Sequence, residues 1–228
     1  MITKKLITEQ YSPITKQLNN MTNENQIFIS NTMFKNFDDR KRVRFINSLS
    51  GIKSANLIGT ISSSGQTNLS IVSSAFHLGA SPALLGIIIR PDISPRHTLE
   101  NIRSTKVLTL NHVNENIYRN AHQTSARYKR EVSEFEACSL TEEYLENFKA
   151  PFVKESHVKV ALELSREVSI KENGTHMLIL KILGVWIPKR IMNDDGYLNI
   201  EDTQAVCVSG LDTYHSIQKL ERLPYAKP

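Results

Sequence analysis

The sequence predicts a mainly β fold, a β-barrel with added helices. Three observations point that way. Strand-length runs rich in Ile, Leu, Val and Thr recur from residue 54 onwards, among them SANLIGTIS (54–62), ALLGIIIR (83–90) and VLTLNHV (107–113). Polar turn sequences such as SSGQ (63–66) and ENGT (172–175) separate strand partners. Two strand-rich blocks also flank a helical stretch, an order that suits one antiparallel domain closed into a barrel.

The elements follow in order. Residues 1–50 are polar (QLNNMTNENQ) and then mixed in charge (KNFDDRKRVRFINSLSG), which predicts an N-terminal extension packing on a core elsewhere. Residues 54–76 predict a β-hairpin turning at Gly65, whose returning strand is QTNLSIVSSAF. Ile71 and Val72 are adjacent there and break the alternation, so a bulge is expected near Val72–Ser73. HLGASP (77–82) reads as a loop, and ALLGIIIR as a strand covered on both faces. TLENIRST (98–105) reads as a helix capped by Thr98, followed by the strand 107–113. Helical spacing then runs through 114–128 and 139–149, with Pro151 beyond. Val158, Val160, Leu162 and Leu164 alternate along strand 157–170, and 176–188 returns against it. A short strand, 204–210, precedes a polar tail. The domain expected from these elements spans 51–216, with 217–228 as the tail.

Composition excludes several classes. The 228 residues are 40% hydrophobic, a little under the usual globular range, and 22% charged, which is ordinary for a folded chain. No apolar run reaches the ~18 residues of a membrane span. The start, MITKKLITEQYSPITKQ, lacks the apolar centre of a secretory signal. The two cysteines, Cys138 and Cys207, form no CxxC motif. These features predict a cytoplasmic protein with no membrane partner. The net charge of +5 raises nucleic acid as a partner, but the basic residues are scattered. The densest cluster, Arg40–Arg42 with Arg44, follows Asp38–Asp39 and has no interleaved aromatics for base stacking. No nucleic-acid partner is expected.

Familiar catalytic and cofactor motifs are missing too. GTISSSGQT (59–67) resembles a phosphate loop, but five residues separate its glycines and no lysine follows. There is no GxGxxG, GxSxG or HExxH, and the seven histidines have no metal-ligand spacing. What remains is an ordered set of polar groups. Asn68, Ser70, Ser73 and Ser74 lie on one strand and its end, Arg90 closes the next apolar strand, and Arg96, His97 and Thr98 open a helix. A helix N-terminus beside an arginine is a ready site for phosphate. Singly, each residue has a plainer explanation: a cap for Thr98, a surface arginine for Arg90, hydroxyls turned to their own backbone for Ser73 and Ser74. The order of the parts is more specific than any one of them.

That order resembles the flavin reductase-like proteins with an FMN-binding split barrel, the group that includes flavoredoxin. The family pattern runs N-x-A-P-x-S-x-F, D-P-P with an apolar strand, an arginine, D-T-x-x-N-I, and a strand ending in V-N. Asn68, Ser73, Pro82, Arg90, Thr98, Asn101, Ile102 and Asn111 stand in that order here. QTSARYKREVSEFEACSLT and SGLDTYH resemble the later stretches. The resemblance covers about residues 50–216. It implies an FMN cofactor and a homodimer with the flavin near the subunit interface. It places Asn68, Ser70 and Ser73, with Ser74 at the strand end, along the ring and ribityl chain. Arg90, His97 and Thr98 would hold the phosphate, and Asn111 and Tyr214 would lie near the flavin. Departures include Ser70–Ile71 for A-P, His97 for the aspartate before Thr98, and Val208–Leu211 for the closing R-x-G-G. No catalytic side chain is implied, because hydride passes directly between nicotinamide and flavin. NADH or NADPH would stack transiently on the exposed ring. Three functions compete: an FMN-dependent NAD(P)H oxidoreductase, a non-enzymatic FMN electron carrier serving a protein partner, and a cofactor-free or nucleic-acid-binding barrel.

Overall fold

The computed structural model of the protein describes residues 26–227. The chain divides into two units, Met1–Val43 and Arg44–Pro228. The expected extension, residues 1–50, falls in part on residues 1–25, which lie outside the described residues. Within 26–50 the chain forms α1 (Asn31–Lys35) and α2 (Asp39–Leu49). Ser30 caps α1 by accepting the Met33 N–H at 3.3 Å.

A seven-stranded antiparallel sheet organises the second unit. Its strands are β2 (Asn56–Ile61), β3 (Thr67–Val72), β4 (Ala75–Ala80), β5 (Ala83–Ile89), β6 (Val107–His112), β9 (Lys159–Ile170) and β10 (Thr175–Trp186). They stand in the order β3-β2-β6-β9-β10-β5-β4. A second sheet joins β1 (Ile52–Ser54), β11 (Val206–Ser209) and β12 (Thr213–Ser216) in the order β1-β11-β12. A third pairs β7 (Glu142–Glu143) with β8 (Phe152–Val153).

Side-chain alternation gives the large sheet two cores. One face carries Ile58, Ile87, Leu108, Leu110, Leu162, Leu178 and Leu180, closed by Leu99 and Ile102 of helix α3 (His97–Thr105). The other carries Leu57 and Leu69, which pack with Ile117, Phe135, Val206 and Val208. Phe135 comes from the short helix α5 (Glu134–Ala137), while α4 (Tyr118–Gln123) adds Ala121.

β3 and β4 end the strand order on opposite sides, yet only Ser73 and Ser74 separate them in the chain. The sheet must therefore curl until its two edges meet at that point. Val72 and Ala75, on either side of the crossing, both pack against the α3 core. The Ser74 hydroxyl donates to the Ile88 carbonyl at 2.7 Å and ties the crossing to β5. This is a split barrel, as the sequence predicts. The expected bulge near Val72–Ser73 is instead the end of a strand. A strand, β4, also replaces the expected loop 77–82, with a register shift between His77 and Gly79. Its exposed pattern concealed it. Phe76 lies over Gly86 so closely that a Cβ there would meet the ring.

The helical reading of 139–149 is corrected. Ser139, Glu146 and Asn147 have φ of 53°, 46° and 57°, a left-handed conformation through which an α-helix cannot run. Turns and β7 occupy the segment. The helix expected over 114–128 contracts to α4, and β12 occupies part of the expected end of the chain.

His112, at the end of β6, has its pKa pushed down to about 4 by burial. Between pH 6.5 and 4 the unfolded chain takes up this proton while the folded chain does not. Stability is therefore complete above pH 6.5 and falls as pH drops towards 4. His112 contributes a loss of about 2 kcal/mol between pH 7 and 4.5. Thermal unfolding of wild type and His112→Gln across this range measures it, and parallel pH profiles would refute the assignment.

Candidate functional site

The crossing at Ser73–Ser74 borders a cleft of about 820 Å³. One wall is β3, from Asn68 to Val72. The floor continues through Ile88 and Ile89 at the end of β5 to Arg90. The loop Ser94–Arg96 and the first residues of α3, His97 and Thr98, close one end. Thr124–Glu131 and Glu134 line it further, and Val208, Leu211 and Tyr214 line it from the small sheet and its turn. The sequence-predicted residues Asn68, Ser70, Ser73, Ser74, Arg90, His97, Thr98 and Tyr214 all meet here.

Asn111 does not join them. Its fully buried carboxamide donates to the Leu57 carbonyl (3.2 Å) and Thr109 Oγ1 (2.9 Å) and accepts the Val153 N–H (3.0 Å). It holds β2, β6 and β8 together, and no polar atom of its side chain is left over for a ligand.

The polar residues of β3 form a connected network. Asn68 Nδ2 donates to Glu134 Oε2 at 2.7 Å, and the Leu69 backbone N–H reaches the same oxygen at 2.9 Å. β3 is an edge strand, so that outward N–H would otherwise lack a partner. Thr98 Oγ1 donates to Asn68 Oδ1 at 2.7 Å and lies 2.9 Å from Ser70 Oγ. Thr60, itself accepting from Asn101 at 3.1 Å, gives Asn68 Oδ1 a second donor at 3.4 Å. Burial raises the Glu134 pKa, against the lowering effect of its hydrogen bonds to Leu69 and Asn68.

Thr98 is therefore not the cap of its helix. Arg96 occupies that position without a side-chain cap bond, so no capping side chain takes up the first N–H groups of α3. The positive end of the helix faces the cleft beside Arg90, which makes no ion pair among the described residues. Arg96 Nε is held by the Pro91 carbonyl at 3.1 Å. An ionic cluster fixes α3 to the sheet. Arg103 bonds both Glu167 oxygens, at 2.6 and 3.0 Å, and Asp92 at 3.1 Å, while His176 Nδ1 lies 2.7 Å from Glu167. Hydrogen bonding to Arg103 holds the Asp92 and Glu167 carboxyls below their ordinary pKa.

Tyr214 comes from β12. Its hydroxyl meets His122 Nδ1 at 3.0 Å and its ring lies 5.5 Å from Tyr118. Burial, with a smaller contribution from Asp212, pushes its pKa up to about 12. The sequence reading missed Glu134 and the 127–131 wall as site residues. The available signal was a carboxylate beside apolar Phe135, a pattern equally expected of an exposed helix start.

The cleft thus combines apolar surface (Ile71, Val72, Ile88, Leu211), a polar strand, and a cationic end. A family model described as "Flavin reductase like domain" matches residues 50–211. A split-barrel-domain protein of Shewanella frigidimarina, provisionally named a flavin reductase, is similar at 51% identity, with a TM-score of 0.86, over 88% of this chain and 100% of that one. Flavoredoxin of Desulfovibrio vulgaris is similar in fold at 18% identity and a TM-score of 0.67, covering 77% of this chain and 92% of its own. An FMN-binding protein of Thermus thermophilus shares the fold at 16% identity and a TM-score of 0.62, covering 76% of this chain and 90% of its own.

Proposed function

We propose, from the premise that the chain belongs to the flavin reductase-like domain family, that it binds FMN in this cleft and reduces it with NADH or NADPH. The observation that carries the reading is the pairing of Arg90 with the start of α3, which has no side-chain cap, at one end of a slot that also carries apolar side chains and the polar strand β3. A dianionic phosphate suits the cationic end, and a flat apolar ring with polar edges suits the rest. When bound, FMN supplies the redox chemistry.

The chain's own residues then bind and orient. Arg90, with His97 and the α3 backbone, holds the phosphate. Asn68, Ser70 and Ser73 meet the polyol and ring edge. Ser74 is already bonded to Ile88 and shapes the crossing. Tyr214 borders the cleft from the small sheet. We take residues 51–216 as the functional domain and a homodimer as its working form. Phe76 on β4 and Leu183 and Val185 on β10 are exposed apolar side chains that offer dimer surface. No helix among the described residues is long and apolar enough to cross a membrane.

Purified protein loaded with FMN and mixed anaerobically with NADH or NADPH tests the reading. The expected result is bleaching of the flavin absorbance by at least one of them. Retained FMN that neither reagent bleaches would overturn the reductase assignment in favour of an electron carrier serving a protein partner.

A further inference from the structure

We propose that Ser70 presents only a hydrogen-bond acceptor to the cleft, and that Glu134 is the positioning residue that fixes this polarity through Asn68 and Thr98. The inference rests on the flavin reading and says which part of a flavin Ser70 selects.

The direction of each bond follows from the one before. A backbone N–H can only donate, so Glu134 Oε2 accepts from Leu69 at 2.9 Å. Asn68 Nδ2 lies 2.7 Å from the same oxygen, and an ionised carboxylate accepts both contacts. With its NH₂ group turned to Glu134, Asn68 must turn its Oδ1 the other way, towards Thr98 and Thr60. An amide oxygen cannot donate, so the single hydroxyl proton of Thr98 is committed to Asn68 Oδ1 at 2.7 Å. Ser70 Oγ, 2.9 Å from Thr98 Oγ1, must then supply the proton for that contact. Its own proton points back into the network, which leaves only its two lone pairs to offer to the cleft that it lines.

Two consequences follow. Thr98 has no proton left for a phosphate, so its contribution to anion binding comes from its backbone N–H at the start of α3. Ser70 rejects groups that only accept: phosphate oxygens, the ring carbonyls and the unprotonated ring nitrogens of an oxidised flavin. It takes a donor, either a ribityl hydroxyl or the ring N3–H. A carboxylate two strand positions and one helix away thereby sets which atoms of the ligand lie beside β3.

The test measures the affinity of the full chain for FMN, for 3-methyl-FMN, and for FMN analogues with each ribityl hydroxyl removed in turn. Wild type should bind one of these analogues about tenfold more weakly than FMN, the size of one lost hydrogen bond. Ser70→Ala should bind FMN about tenfold more weakly and no longer discriminate against that analogue. Glu134→Gln keeps an acceptor oxygen and should retain the discrimination, whereas Glu134→Ala frees Asn68 to turn and should abolish it. If Glu134→Ala does not fold, the Ser70→Ala series alone decides. Equal FMN affinity in wild type and Ser70→Ala, or equal discrimination in both, would overturn the inference while leaving flavin binding intact. Failure of wild type to bind FMN would overturn the flavin reading and the inference with it.

Discussion

Replacing Gly59 with alanine costs the folded protein about 3 kcal/mol, a fall of roughly 6–12 °C in Tm for a chain of this size. Gly59 lies in the middle of β2, between β3 and β6. A Cβ there would run into the Pro151 carbonyl and come 2.5 Å from Thr109 Oγ1. Neither neighbour is free to yield. Thr109 donates to that same Pro151 carbonyl at 2.6 Å and accepts from Asn111 at 2.9 Å. Asn111 in turn bonds the Leu57 and Val153 backbones. Alanine must either break this chain or push the 150–153 segment off the sheet, and Phe152 and Val153 are fully buried there. The penalty is one of space, because Gly59 has no left-handed φ to protect. Thermal unfolding measures it. A Tm within a degree of wild type would show that the 150–153 segment moves without cost.

The second large effect is on ligand binding. Arg90→Ala is expected to weaken FMN affinity about 10- to 100-fold and leave riboflavin affinity unchanged, because only FMN carries the phosphate. The size is that of one hydrogen bond to a charged group, about 1.5–3 kcal/mol. Arg90 is exposed and unpaired among the described residues, so its removal should leave the fold intact. Raising the salt concentration should weaken FMN binding in wild type more than in the variant. Flavin fluorescence titrations at two ionic strengths provide the data. Equal losses for FMN and riboflavin would place Arg90 against the ring or polyol and sink the phosphate assignment.

The barrel was legible wherever apolar residues were dense. ALLGIIIR and VLTLNHV became β5 and β6, and the alternation from Val158 to Leu164 marked β9. β4 was illegible because an exposed edge strand has no buried face to impose a period: His77, Leu78 and Gly79 carry no pattern, and only pairing with β5 makes them a strand. The supposed helix 139–149 had helical spacing but three left-handed backbones, which tertiary contacts impose and composition does not announce. The cleft was legible as an ordered set of polar residues, eight of which the structure gathers. Asn111 stands outside the cleft, and sequence could not show it, because a buried amide that braces three strands looks, in one dimension, like one that lines a cleft. Glu134 was missed for the converse reason: its partners, Asn68 and Leu69, lie 66 and 65 positions away.

The Ser73–Ser74 crossing also governs how the cleft can move. Three Cα steps separate Val72 from Ala75, so those ends can never stand more than about 11 Å apart. The crossing acts as a fixed pivot, with the Ile88 carbonyl as its pin. The jaws therefore cannot part at β3 and β4. Any widening has to come from the other borders of the cleft, the 94–98 end, the 124–131 segment or the small sheet, and of these the 124–131 segment lies well along the chain from both β6 and β9.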